Sequence, residues 1–102
     1  MLTDKTIGFI GGGNMAEALI KGLVGGTCKA ETILVSDPAG ERLTHLEKEY
    51  GIGTTADNRE VVRRSDIVLL AVKPQIVGDV LAGCAGTFDA DTLLVSILAG
   101  ID

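Results

Sequence analysis

The sequence predicts a single α/β domain with a doubly wound parallel sheet, and two observations support this prediction. First, short apolar runs alternate with segments of helical periodicity along all 102 residues. Second, aromatic residues make up only 3% of the chain, so the core is built from Val, Ile, Leu and Ala, as in strands covered by helices on both faces. We expect the strand order 3-2-1-4-5, with right-handed crossovers.

The predicted strands are short apolar runs rich in β-branched residues, which favour extended backbone. They are Lys5–Ile10, Glu31–Ser36, Gly51–Thr55, Asp66–Val72 and Thr92–Leu98.

Four helices are predicted between the strands from periodicity and from start and stop residues. We expect Asn14 to cap the first helix, with Glu17 reaching back as in a capping box. Asp37 is expected to cap the second helix, with Pro38 at its first position. Asp57, with Glu60 three residues later, resembles another capped helix start, and Pro74 is expected to start the fourth helix. The predicted helices cover residues 14–24, 38–50, 58–64 and 74–83. The apolar face of the first helix is expected at Met15, Leu19, Ile20 and Leu23.

The stretch from Ile7 to Ile20 carries the clearest chemical signal. Read as Gly11-x-Gly13-x-x-Ala16, it matches the dinucleotide-binding fingerprint in its alanine-ending form. Gly11 allows the tight turn, Gly13 lets the backbone approach a pyrophosphate, and Ala16 lets the helix pack closely on its strand. A glycine turn also joins strands to helices without binding anything. Here, however, it follows a predicted strand, opens a predicted helix and precedes the acidic residue Asp37 by about twenty positions. This context favours nucleotide binding.

Ligands of such sheets bind at the carboxyl ends of the strands, where the strand order reverses. That point lies between the first and fourth strands. We therefore expect three segments to line one crevice. They are Gly11 to Met15, Ala71 to Pro74 and Ile97 to Gly100.

The end of the second strand is expected to meet the adenosine ribose. Asp37 could accept hydrogen bonds from the ribose hydroxyls, which favours NAD(H), or it could act only as a helix cap. Ser36 and Arg42 could instead accommodate the 2′-phosphate of NADP(H). Both coenzymes remain open at this point.

Composition and charge exclude several other functions. A net charge of −5 argues against a nucleic-acid surface, and no apolar run is long enough to cross a membrane. Cys28 and Cys84 lack metal-ligand spacing, so we expect reduced thiols in a cytoplasmic protein and no metal site. His45 lies among charged residues, as on a solvated helix face. We assign no catalytic acid or base.

Three segments together resemble Δ1-pyrroline-5-carboxylate reductase, the last enzyme of proline biosynthesis. They are Ile7-Gly-Phe-Ile-Gly-Gly-Gly-Asn-Met-Ala16, Asp66-Ile-Val-Leu-Leu-Ala-Val-Lys-Pro74 and Val95-Ser-Ile-Leu-Ala-Gly-Ile101. The resemblance extends over essentially the whole chain. It implies an oxidoreductase that uses NADP(H) or NAD(H) to reduce the C5=N bond of 1-pyrroline-5-carboxylate to L-proline.

The resemblance also implies which residues bind the cofactor. The pyrophosphate would lie on the glycine stretch, the adenosine half at the end of the second strand, and the nicotinamide half at the ends of the fourth and fifth strands. The implied residues are Ile10, Gly11, Gly12, Gly13, Asn14, Met15, Ser36, Asp37, Asn58, Ala71, Val72, Lys73, Pro74, Ile97, Leu98 and Ala99. Leu98 departs from the family, which usually has alanine there.

Length is the larger departure, because family members continue into a helical carboxy-terminal domain that supplies the dimer interface and most of the substrate pocket. By resemblance, residues 1–102 form the amino-terminal dinucleotide-binding domain, inactive alone, of a homo-oligomeric enzyme. Two alternatives stay open. One is another NAD(P)-dependent reductase of the 6-phosphogluconate/β-hydroxyacid dehydrogenase-like class, including a coenzyme F420-dependent NADP reductase, against which Ala-Val-Lys-Pro weighs. The other is a non-catalytic nucleotide-binding module.

Overall fold

The computed structural model describes residues 5–26, 29–84, 86 and 93–96. Within these residues, strands and helices alternate along the chain, and a 3₁₀ turn at Ala30–Thr32 precedes the second strand. The elements are β1 Ile7–Ile10, α1 Asn14–Gly25, β2 Ile33–Ser36, α2 Gly40–Tyr50, β3 Gly53–Thr55, α3 Asn58–Arg64, β4 Ile67–Leu70, α4 Pro74–Gly83 and β5 Leu93–Ser96.

The strands form one parallel sheet in the order β3-β2-β1-β4-β5, which confirms the predicted topology. The register brings the carboxyl ends of the strands into line. Ile10 pairs with Ser36 on one side and Leu70 on the other, while Ser36 pairs with Thr55 and Leu70 with Ser96. The segments that follow β1 to β4 therefore leave the sheet along a single edge.

Successive side chains of a strand point to opposite faces of the sheet, and this divides the core in two. Phe9 packs with the residues of α1 and α2, whereas its neighbour Ile10 packs with those of α3 and α4. The first cluster contains Ile7, Phe9, Ala16, Ile20, Ile33, Val35, Leu46 and Ile52. The second contains Ile10, Leu34, Val61, Val62, Val68, Leu70, Val80 and Cys84. Burial raises the pKa of the Cys84 thiol.

The helix α1 begins at Asn14, as predicted, but its predicted capping is wrong. Gly13 is the N-cap, and no side chain caps this helix end. The Glu17 carboxylate accepts hydrogen bonds from α2 instead of reaching back to Asn14. Ile20 of the predicted apolar face is buried and Leu23 packs against the first core cluster, as predicted. Ala16 is the other buried residue of the helix, whereas Met15 and Leu19 are 42% and 38% exposed. The apolar stripe that faces the sheet is therefore rotated from the predicted one.

The predicted start of α2 is also wrong. The helix begins at Gly40 with Ala39 as its N-cap, because the Asp37 carboxylate is bonded to Ala39 N and to Gly12 N. The other starts are confirmed. Asp57 caps α3 by accepting from Arg59 N at 2.9 Å, and Pro74 is the first residue of α4. The outer residues of the predicted fifth strand, Thr92 and Ile97 to Leu98, lie outside the described residues.

Among the helices that the structure describes, none has the length and apolar character needed to span a bilayer. The same residues hold no group of three or more His, Cys, Asp or Glu side chains suited to a metal ion.

Candidate dinucleotide-binding cleft

The carboxyl ends of β1, β2 and β4 meet at a cleft of about 470 Å³, a volume typical of small-molecule sites. Its lining combines exposed backbone, aliphatic side chains and four polar side chains from different elements. The lining residues are Ile10, Gly11, Gly13, Ser36, Asp37, Pro38, Ala56, Asn58, Ala71, Val72, Lys73, Ile76 and Val80. The glycine stretch and the end of β4 thus converge as the sequence predicted.

Gly11 makes the sharp turn from β1 towards α1. Its φ angle is +107°, a conformation open mainly to glycine. A Cβ atom there would lie 2.5 Å from the backbone oxygen of Ala71. The Gly11 N–H donates to the Ser36 carbonyl at 2.8 Å, and Ala71 N–H donates to the Ile10 carbonyl at 2.9 Å. The turn therefore passes between the ends of β2 and β4, with no room for a side chain.

Gly12 and Gly13 face different surroundings. A Cβ atom on Gly12 would lie 3.1 Å from Leu46, and Gly12 is not part of the cleft lining. A Cβ atom on Gly13 would meet nothing within 4 Å, so backbone is exposed to the cleft at the N-terminus of α1. The first amides of a helix have no partner within it and favour anions. This bare backbone suits the close approach of a diphosphate.

Ser36 contributes to the cleft in a different way from the predicted one. Its side chain is fully buried, and its hydroxyl donates to Asn58 Oδ1 at 2.6 Å. This bond uses one lone pair of the Asn58 oxygen, and the side-chain amide nitrogen of Asn58 can donate to a ligand. Asn58 is the first residue of α3 and lines the cleft.

The carboxyl groups of Asp57 and Glu60 hold the first turn of α3 in place through hydrogen bonds. The backbone N–H of Arg59 holds the pKa of Asp57 below its ordinary value. Hydrogen bonds from Thr55 and then Arg64 lower the pKa of Glu60. Both groups therefore stay ionised at neutral pH and anchor the helix turn that carries Asn58.

Asp37 and Arg42 both contact the glycine stretch rather than standing free for a coenzyme. Asp37 Oδ2 accepts from Gly12 N at 2.7 Å and Oδ1 from Ala39 N at 2.8 Å, the second bond being typical of an Asx turn. Arg42 Nε donates to the Gly12 carbonyl at 2.8 Å. The Asp37 side chain lines the cleft, whereas Arg42 does not.

The β4 end supplies Ala71, Val72 and Lys73 to the lining. Lys73 is exposed and precedes α4 as its N-cap residue. Among the described lining residues it is the one basic side chain, so it is the cation that an anionic ligand would meet there.

Four lining residues were not predicted. Ile76 and Val80 lie one turn apart on α4 and close the apolar side, while Pro38 and Ala56 follow the ends of β2 and β3. Two signals in the sequence could have identified three of them. Ile76 and Val80 have the i, i+4 spacing of one helix face, and Pro38 directly follows Asp37.

Several predicted residues do not line the cleft with their side chains. Gly12, Asn14 and Met15 are absent from its lining. In this part of the chain, only backbone amides at the N-terminus of α1 could contact a ligand. The Pro74 side chain and residues Ile97, Leu98 and Ala99 lie outside the part of the chain that the structure describes in full.

A second depression, of about 360 Å³, lies between α1 and the sheet. It is lined by Ile7, Ala18, Leu19, Gly22, Leu23, Ile67 and Leu69. These residues offer no polar side chain to orient a nucleotide, so the chemistry of a dinucleotide site belongs to the first cleft.

The strand order and the cleft at its reversal point define a Rossmann-type α/β domain. The chain belongs to the family described as NADP oxidoreductase, coenzyme F420-dependent, whose model matches residues 6–100. It is also 44% identical over 96 residues to a pyrroline-5-carboxylate reductase of Synechocystis, covering 93% of this chain and 36% of that protein. The resemblance to pyrroline-5-carboxylate reductases is thereby confirmed.

Solved structures agree with this relationship. A pyrroline-5-carboxylate reductase from Coxiella burnetii superposes with a TM-score of 0.83 at 32% identity, over 94% of this chain and 36% of that one. The Plasmodium falciparum pyrroline carboxylate reductase, solved with NADP bound, superposes with a TM-score of 0.79 at 30% identity, over 94% and 34%. The chain thus spans about a third of the length of these relatives.

Proposed function

We propose that residues 1–102 are the dinucleotide-binding domain of an NAD(P)H-dependent pyrroline-5-carboxylate reductase, which reduces 1-pyrroline-5-carboxylate to L-proline. The observation that carries the proposal is the cleft itself, where a glycine turn, the β2 end and the β4 end converge. The named relatives supply the reaction. A cytoplasmic location and a homo-oligomeric full-length protein, assembled through a helical carboxy-terminal domain, are further parts of the proposal that come from the family resemblance.

In this proposal the chain binds and orients the coenzyme. The amides at the N-terminus of α1, from Gly13 to Met15, hold the diphosphate. Asp37 and Asn58 face the adenosine ribose. The segment Ala71–Pro74, together with Ile97–Ala99, borders the nicotinamide half. The bound coenzyme supplies the hydride that reduces the C5=N carbon, and the protein's contribution is orientation in a largely apolar cleft.

The absence of a general acid among the proposed site residues fits this division of roles. The described lining holds one carboxylate and one amine, Asp37 and Lys73. Asp37 is already bonded to two backbone amides. We therefore assign the substrate contacts and any proton donor to the part of the full-length protein beyond this domain.

The family description favours a second candidate, hydride exchange between NADP and coenzyme F420. The two candidates share the dinucleotide site and differ in the second substrate. Ala71-Val72-Lys73-Pro74 at the end of β4 and the names of the curated relatives favour the reduction of pyrroline-5-carboxylate.

Calorimetric titration of the chain with NADPH and with NADH tests the proposal. We expect saturable binding of at least one coenzyme, and binding of neither would contradict the dinucleotide site. Tighter NADH binding would assign Asp37 to the ribose hydroxyls, and tighter NADPH binding would assign the 2′-phosphate to donors such as the Asn58 amide.

The reaction is tested by following NAD(P)H oxidation with pyrroline-5-carboxylate or with coenzyme F420 as acceptor. We expect turnover of pyrroline-5-carboxylate by the full-length protein and none by residues 1–102 alone. Turnover with coenzyme F420 but not with the imine would select the second candidate. Turnover of the imine by the isolated chain would contradict the assignment of the substrate pocket to another domain.

A further inference from the structure

Charged side chains hold both polar backbone groups of Gly12. Its N–H donates to Asp37 Oδ2 at 2.7 Å, and its carbonyl accepts from Arg42 Nε at 2.8 Å. Both side chains come from the segment that follows β2. Gly12 therefore cannot turn its own amide towards a ligand without breaking a charge-assisted hydrogen bond.

The bond from Arg42 also determines where the next amide points. The Gly12 carbonyl and the Gly13 N–H belong to the same peptide unit, and in a trans peptide they point in opposite directions. Arg42 holds the carbonyl from outside the cleft, whereas Gly13 lines the cleft. The Gly13 N–H consequently points away from Arg42, and Gly13 is the residue of this peptide unit that lines the cleft.

This peptide unit has little intrinsic resistance to rotation. Glycine residues flank it on both sides, so no Cβ atom restricts the backbone angles next to it. A flip would exchange the N–H donor of Gly13 for the Gly12 carbonyl oxygen, which repels a phosphate. An external hydrogen bond is the simplest way to hold the unit in the orientation that binds an anion.

Arg42 is itself held by a network between α1 and α2. Its Nη2 donates to Glu17 Oε1 at 2.9 Å, and the side chains of Arg42 and Glu17 are 30% and 23% exposed. The other oxygen of Glu17 accepts from the Tyr50 hydroxyl at 2.8 Å and lies 2.9 Å from His45 Nε2. These bonds from His45, Tyr50 and Arg42 lower the pKa of Glu17 to about 2. Glu17 is therefore a carboxylate at neutral pH and a permanent anchor for the guanidinium.

We propose that Arg42 and Glu17 are positioning residues for diphosphate binding, which keep the Gly12–Gly13 peptide oriented with its N–H towards the cleft. The inference rests on the proposed function of the cleft as a dinucleotide site. Neither side chain touches the ligand in this proposal. They act through the backbone of Gly12.

The test compares Arg42→Gln with Arg64→Gln in the ¹⁵N-labelled chain. Arg64 is a matched control, because it forms an Arg–Glu pair of similar length, 2.8 Å to Glu60, on α3 and does not contact the glycine stretch. We expect Arg42→Gln to raise the Kd of the coenzyme about tenfold or more. This is the usual effect of losing a hydrogen bond to a charged group, here the bond from the Gly13 N–H to the diphosphate. Arg64→Gln should leave the Kd within about twofold of that of the unsubstituted chain.

The amide signal of Gly13 separates positioning from a general loss of structure. In the free chain we expect Arg42→Gln to shift or broaden this signal, while the signals of β4 stay in place. Arg42→Lys, which keeps one donor, should restore part of the affinity. If Arg42→Gln does not unfold cooperatively, Glu17→Gln, which removes the charged partner of Arg42, carries the same comparison.

An Arg42→Gln chain with the Kd and the Gly13 signal of the Arg64→Gln control would overturn the proposal. If the unsubstituted chain binds neither coenzyme, the proposed function fails. The Gly13 signal of the free chain then still decides whether Arg42 sets the peptide orientation, and an unchanged signal would show that it does not.

Discussion

Replacing Gly11 by alanine should destabilise the fold more than any other single added methyl group in the glycine turn. Two effects combine at this position. A non-glycine residue at φ +107° costs about 1–3 kcal/mol. The new Cβ atom, 2.5 Å from the Ala71 oxygen, forces the end of β4 to move, at about 1–3 kcal/mol. Reduced freedom of the unfolded chain offsets about 0.4–1 kcal/mol of this, leaving a net loss of about 1–5.5 kcal/mol.

Urea unfolding followed by circular dichroism measures this loss. For a domain of this size, the expected change lowers the midpoint by about 0.5–3 M. Gly78→Ala is the matched control, because Gly78 lies inside α4 and a Cβ atom there meets nothing within 4 Å. This control should gain about 0.5–1 kcal/mol in the free energy of unfolding. A midpoint for Gly11→Ala at or above that of the unsubstituted chain would refute the reasoning about the turn.

Three further predictions concern the same region. Gly13→Ala should change the free energy of unfolding by no more than about 1 kcal/mol, because the new Cβ atom meets nothing within 4 Å. The same Cβ atom should raise the coenzyme Kd about tenfold or more in calorimetric titration, and an unchanged Kd would argue against a ligand bound next to Gly13. Asp37→Asn should lower the free energy of unfolding by about 1.5–3 kcal/mol, because one amide oxygen replaces two carboxylate acceptors; an unchanged urea midpoint would show that these bonds contribute nothing. Because the pKa of Glu17 is lowered from 4.5 to about 2, its carboxylate stabilises the fold above pH 4.5, and this contribution is lost as the pH falls towards 2. In urea unfolding across that range, Glu17→Gln should therefore lose less free energy of unfolding than the unsubstituted chain, and equal losses in the two chains would contradict the stabilising role of the Glu17 carboxylate.

Local signals in the sequence were sufficient for the topology and for much of the cleft. Gly11 and Gly13 were identified from a turn that needs glycine for backbone reasons. Asp57 and Pro74 were identified as helix starts from preferences that act within a few residues. The strand order followed from the parallel α/β pattern alone, because connection rules leave few topologies for it.

The errors arose where a distant partner competes with a local pattern. Glu17 is placed as in a capping box, but its partners Arg42 and Tyr50 are 25 and 33 residues away. Asp37 before Pro38 looks like a helix start, yet Gly12, 25 residues earlier, binds its carboxylate.

The apolar face predicted for α1 differs from the observed one for another reason. Helical spacing predicts an apolar stripe but does not choose between overlapping stripes. The structure buries the small Ala16 and exposes Met15, because the small side chain lets α1 approach the sheet.

Backbone chemical shifts of the ¹⁵N-labelled chain, recorded during titration with the tighter-binding coenzyme, locate the bound dinucleotide on the domain. We expect the largest changes at the amides of Gly13 and its α1 neighbours, at Asp37 and Asn58, and at the segment Ala71–Lys73. Changes concentrated instead on the apolar depression around Leu19 and Leu23, or an absence of changes at Gly13, would contradict the assignment of this cleft as the dinucleotide site.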